Sequence, residues 1–212
     1  CECAEGLCTP PSNGVGGREL QTIKGLWFNR LPKHAKIKPR RWYYHGDKLG
    51  LIVWQDMVNG GGPYKLWFVT YLTNVFQPLL RRLPDARPLW GLLGRETEAG
   101  REEYARELEA TVKALQCHPC VGCWVPFNEG WGQFDAAGAV EAVRRLDGTR
   151  LVDEASGWYD QGGGAVDSLH NYFYPHRVRP RSRAVALREN GRITWPKPGH
   201  TPTPQAQRHG HA

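Results

Sequence analysis

Short apolar runs alternate along the chain with stretches of helical periodicity, the pattern of a parallel α/β fold. The clearest run is Leu49-Gly50-Leu51-Ile52-Val53-Trp54, which passes into polar Gln55 and Asp56. A second, Val121 to Phe127, ends in Asn128 and Glu129. Three more follow: Arg150-Leu151-Val152-Asp153, then Ser168-Leu169-His170-Asn171-Tyr172, and Ala184-Val185-Ala186-Leu187 running into Glu189. Each strand candidate therefore ends in groups able to do chemistry.

Between the first two runs, Tyr104, Leu108, Val112 and Leu115 recur at helical spacing and form one apolar stripe. A second helix is expected after Asp135 as N-cap, with Val140, Val143 and Leu146 facing inward and Gly148 near its end. The stretch from Pro78 to Gly94 reads as a long loop, and the tail 201–212 has no apolar periodicity and is expected to be disordered. Polar groups gathered at the C-terminal ends of parallel strands suit a (β/α)8 TIM barrel. A doubly wound sheet shares that property, so the pattern alone leaves closure open.

With 212 residues, 40% of them hydrophobic, the chain suits one domain with one sizeable core. Its formal charge of +7 raises nucleic acid as a partner. The basic residues do not form a single footprint and no nucleic-acid motif accompanies them, so none is expected. No apolar run is long enough for a transmembrane helix, and residues 1–8 lack the basic start and apolar stretch of a signal peptide. The chain is expected to be soluble, and its N-terminus, which has no initiator Met, is expected to be incomplete. Cys117, Cys120 and Cys123 form a C-x-x-C-x-x-C run that could clamp a metal with help from Cys1, Cys3 or Cys8. Strand alternation would not converge three thiolates, so Cys120 and Cys123 are read instead as small apolar residues and no metal or cofactor is expected.

Two carboxylates at strand ends can cleave a glycosidic bond, one protonating the leaving oxygen and the other attacking or activating water, when held about 5 to 9 Å apart. Glu129 and Glu189 are the candidates. Aromatic residues accompany them at the strand ends, among them Trp54, Trp124, Trp131, Trp158, Tyr172 and Trp195. Indole packs on the apolar faces of sugar rings, and Asn, Asp, His and Gln bind their hydroxyls. For Trp54 and Trp124 core packing is the stronger expectation.

Three runs carry a family resemblance: Arg41 to Met57, Trp124 to Asp135, and Asp153-Glu154-Ala155-Ser156-Gly157-Trp158. Together they resemble the catalytic barrel of glycoside hydrolase family 2, the β-galactosidase, β-glucuronidase and β-mannosidase family, over residues 6 to 200. The resemblance implies a retaining double displacement on β-linked sugars, β-galactosidase-like, with no cofactor. It makes Glu129 the acid/base, Glu189 the nucleophile, and Asn128 the partner of the sugar 2-hydroxyl. It also places His34, Asp56, Trp131, Trp158, His170 and Tyr172 at pocket positions. Burial beside Trp124, Phe127 and Trp131 is expected to disfavour the charged form of Glu129, as suits a proton donor.

Two departures accompany the match. Glu189-Asn190-Gly191-Arg192 stands where relatives carry Glu-Phe-Gly-Gly, and Pro32 stands where they carry an arginine that supports the nucleophile; Arg30, two residues earlier, is the candidate substitute. The expected architecture is thus a partial catalytic TIM barrel over residues 1–200, its first and last strands missing. A barrel with open sheet edges is expected to fold poorly by itself and to turn over weakly or not at all. The alternatives are a degenerate barrel that binds carbohydrate without cleaving it, and a cysteine-ligated metal module.

Overall fold

The computed structural model describes residues 13–59, 61–172 and 181–190. The chain runs α1 (Asn13–Gly25), β1 (Arg30–Lys33), α2 (Arg40–Leu49), β2 (Ile52–Asp56) and a π-helical turn, Trp67–Leu72. Three short helices follow, α3 (Thr73–Val75), α4 (Gln77–Leu80) and α5 (Arg87–Trp90), then α6 (Glu98–Leu115). The remainder is β3 (Val121–Val125), β4 (Phe127–Asn128), α7 (Ala136–Leu146), β5 (Leu151–Val152), β6 (Ala155–Ser156), β7 (Val166–Asn171) and β8 (Ala184–Asn190).

Every strand pairing among the described residues is parallel, in the order β1-β2-β3-β5, with β4 on β6 and β7 on β8. β4 continues β3 beyond Pro126, which has no N–H to give a ladder, and β6 continues β5. Ala165 N donates to Val152 O at 2.8 Å, and the Ser168 hydroxyl donates to Asp153 at 2.8 Å, joining the β7 segment to the β5/β6 track. At the far end, Arg188 on β8 reaches Asp56 on β2. The row of strands therefore curls around a shared interior.

Alternation gives this row two faces. Val53, Val121, Trp124 and Val152 point outward into the main core, where α6 lays Tyr104, Leu108, Val112 and Leu115 and α7 lays Val140 and Val143. Trp54, Cys123, Val125 and Val166 point inward. A bulge keeps these faces consistent: Val53 pairs with Val121 but Trp54 with Cys123, so Gly122 is the extra residue.

Both expected helices are present, the stripe of α6 buried throughout and that of α7 buried at Val140 and Val143 and half-buried at Leu146. Asp135 caps α7, its side chain accepting from Gly138 N at 3.3 Å. The amphipathic helices α1 and α2 stand where no helix was expected, and Leu49 belongs to the end of α2, so the first apolar run becomes a strand only at Ile52. The anticipated loop from Pro78 to Gly94 contains the end of α4 and all of α5. It is tied down where Arg81 pairs with Asp167 and where Ala136 N donates to Asp85 at 2.6 Å. Residues 191–212, including Trp195 and the expected disordered tail, lie outside the described residues, as do Cys1, Cys3 and Cys8.

Asp147, just after α7, accepts from Trp124 Nε1 at 2.9 Å, from Thr149 and from Arg150. Burial acts to raise its pKa, but these donors outweigh it and hold the carboxyl at about 2, against 3.8 for a free aspartate. A depressed carboxylate stabilises the fold above its unfolded pKa and loses that contribution as pH falls through the folded value. Asp147→Asn is therefore expected to lower stability by about 1 to 2 kcal/mol at neutral pH, allowing for water at its Arg150 side. Urea titrations should show the gap from the parent protein narrowing as pH falls from about 4 to about 2. A gap that stays constant with pH would remove ionisation from the explanation.

Candidate active site

Glu129 follows β4 in a left-handed backbone conformation, φ 52, with Gly130 at φ 70 beside it. For a residue bearing a Cβ this conformation costs about 1 to 2 kcal/mol. The turn is held because Glu129 N donates to Ser156 O at 2.9 Å. Gly130 is required there, since a Cβ would sit 2.2 Å from the Tyr159 ring.

The carboxylate of Glu129 accepts from His170 Nδ1 at 2.9 Å and from the Tyr172 hydroxyl. The same hydroxyl lies 2.5 Å from Glu189 Oε2, and one oxygen of each glutamate lies within 4.8 Å of the other. A phenol carries one proton. The hydroxyl can therefore donate to only one of the two carboxylates at a time. With Nδ1 at Glu129, the other ring nitrogen of His170, Nε2, lies 2.9 Å from the Ser156 hydroxyl. Gly157, at φ 83, makes room, for a Cβ would come 2.4 Å from His170 Cγ. Behind it, Ser168 accepts from Gly157 N at 3.2 Å, and burial raises the pKa of its other partner, Asp153.

A second group borders the first. Arg188 donates to Asp56 and, at 3.2 Å, to Asn128 Oδ1. The Asn128 amide nitrogen lies 3.3 Å from His34 Nδ1, which is 3.5 Å from Asp56 Oδ2. The nearby Asp56 carboxylate raises the His34 pKa, against the pull of burial. Arg188 and Glu189 are consecutive yet both serve the interior because of a second bulge. Leu169 pairs with Leu187 but His170 with Glu189, leaving Arg188 as the extra residue.

Glu129, Glu189, His170 and Tyr172 thus form one cluster, and Asn128, Asp56 and His34 form its neighbour. Trp131, like Tyr172, packs against the cluster of Phe68, Val69, Leu93, Trp158 and Tyr159. Trp158 itself is 2% exposed within that cluster. Arg30 lies over the Trp54 ring, 4.6 Å from its centre. The guanidinium that reaches Asp56 and Asn128 comes instead from Arg188, which nothing in the strand pattern had singled out.

The expected environment of Glu129 needs correction. Trp124 and Phe127 pack in the outer core, and burial, although the largest single influence, is outweighed by His170 and Tyr172 at the carboxylate. The net effect lowers the Glu129 pKa below the usual carboxylate range. Ser156, Asp153 and Ser168 are further members that sequence reasoning passed over, although Asp153 does end one of the apolar runs.

The cysteine run divides between the faces of the sheet, Cys120 in the outer core and Cys123 in the inner cluster, and burial pushes both thiols up. Cys117 is exposed. The group among the described residues that could hold a metal ion is Glu129, His170 and Glu189. An ion there would displace the hydrogen bond between His170 and Glu129. No helix among the described residues is long and apolar enough to cross a membrane.

No family model and no curated protein matches the sequence. Solved structures do match in fold. A Parabacteroides merdae β-glucuronidase superposes with TM-score 0.54 at 16% identity, covering 76% of this chain and 18% of that one. A GH2 β-galacturonidase from Eisenbergiella tayi, bound to galacturonate, gives 0.55 at 14%, covering 78% and 26%. A β-D-glucuronidase from Dictyoglomus thermophilum gives 0.55 at 14%, covering 77% and 27%. The structural neighbours are thus glycosidases, and this chain shares the fold of a part of them, spanning about a quarter of their length or less.

Proposed function

We propose that this chain carries the catalytic centre of a glycoside hydrolase that cleaves β-linked sugars with retention of configuration, within a (β/α)8 barrel. The observation that carries the reading is the pair Glu129 and Glu189, with carboxylate oxygens within 4.8 Å and one tyrosine hydroxyl between them. Retaining enzymes hold their carboxyls about 5 to 5.5 Å apart, whereas inverting ones need roughly 6.5 to 9.5 Å to admit water. In this reading Glu189 attacks the anomeric carbon while Glu129 gives a proton to the departing oxygen. Glu129, then a carboxylate, takes a proton from the water that releases the sugar. Asn128 and His34 bind ring hydroxyls. The glycosidase identity of the structural neighbours supports the assignment.

The test is a panel of aryl β-glucuronides, β-galacturonides, β-galactosides and β-mannosides, with the anomer first released read by proton NMR. Hydrolysis of one member to the β-anomer is expected. Release of the α-anomer would replace retention by inversion. A second reading, a site that binds sugar without cleaving it, draws on the lowered pKa of Glu129, which leaves less of its protonated form near neutral pH, and on Pro32. Calorimetric binding of the panel sugars with no turnover would establish that reading in place of the first.

A further inference from the structure

Asparagine side chains have two ends of nearly the same shape and opposite hydrogen-bonding sense, so a buried Asn needs a neighbour that decides between them. We propose that Arg188 is a positioning residue that fixes the Asn128 amide with its carbonyl turned to the guanidinium and its NH2 turned toward His34. Arginine has donors only, and one arm of the fork meets Asn128 Oδ1 at 3.2 Å while the other meets Asp56. The side chains of Arg188 and Asp56 are both 0% exposed, so neither can exchange its partner for water. Turning the amide over would set its NH2 against the guanidinium. The Arg188 bulge puts the fork there, beside Glu189 in the chain and across the interior from β2.

The consequence is a rule for ligands. Whatever takes the place of the His34 nitrogen at the Asn128 NH2 must accept a hydrogen bond, so a hydroxyl oxygen fits and an ammonium group does not. This ligand rule rests on the sugar-cleaving reading for its substrate, whereas the orientation of the amide rests on geometry alone.

His34 reports on that orientation. Its ring faces the Asn128 amide at 3.3 Å, with Asp56, Glu189 and Glu129 as the surrounding acids. Arg188→Lys keeps the charge but cannot fork, and a single ammonium follows the Asp56 carboxylate. The released amide can then turn its carbonyl to the ring and favour imidazolium. With selectively labelled histidine in the complete protein, the His34 pKa is expected to rise by about half a unit in Arg188→Lys. The same substitution in an Asn128→Ala background is expected to leave it within about 0.2 unit. No rise, or an equal rise in both backgrounds, would overturn the proposal.

Should Arg188→Lys not fold, the unsubstituted protein suffices. Its Asn128 amide protons are expected to show NOEs to the His34 ring, and NOEs to the Arg188 guanidinium instead would defeat the idea. None of these readouts uses a sugar. Failure of the hydrolase reading would leave them intact, and cleavage without the amide lock would remove this inference alone.

Discussion

Glu189→Ala is expected to lower turnover of an activated aryl β-glycoside by a factor on the order of 10⁴ or more, because it removes the carboxylate proposed to form the glycosyl–enzyme bond. The substitution opens a space the size of a small anion where the carboxylate stood, 4.8 Å or less from the remaining Glu129 oxygen. Azide entering that space attacks the anomeric carbon directly and displaces the leaving group once. The product should be the α-glycosyl azide, identifiable by its anomeric coupling in proton NMR. Recovery of the β-azide from this variant would place the nucleophile elsewhere, and undiminished turnover would remove Glu189 from the reaction.

Glu129→Ala should fail differently. For leaving groups that need a proton, the rate is expected to fall by about 10² to 10⁴, while a dinitrophenyl glycoside, whose phenolate leaves unaided, should still form the covalent intermediate. That intermediate then waits for water without a base. Azide needs no base, so it should speed release and give the β-azide, two displacements having restored the original configuration. The parent protein has a further signature in its pH profile. The acid form of Glu129 starts the reaction, and the bonds from His170 and Tyr172 hold its pKa low in the unliganded site. Loss of that form as pH rises is expected to place the optimum on the acidic side of neutrality, and the basic limb should vanish in Glu129→Ala. An unchanged basic limb would assign it to another group.

The parts of the fold that were legible in the sequence are those where one periodicity holds over a whole element. The stripe of α6 and the cap and inner face of α7 follow from spacing alone, as do the strands ending at Asp56, Glu129 and Glu189. The short helices were hidden because α2 buries Trp42, Tyr43 and Gly46, too few positions to make a pattern, and because its end merges into the apolar run of β2. The site was legible wherever a polar group directly follows an apolar strand. Arg188 was hidden by the bulge that departs from strict alternation: a regular strand would turn it away from the side served by Glu189. The Glu129 environment was misread for a related reason. Neighbours in sequence, Trp124 and Phe127, point to the other face, and its actual neighbours, His170 and Tyr172, come from 41 and 43 residues away.

The left-handed backbone at Glu129 sets folding and chemistry against each other at one residue. Glycine would occupy that conformation without strain, so the position is one where the chain could become more robust by giving up the carboxylate proposed as its proton donor. Drift without selection for activity would be drawn toward such a replacement.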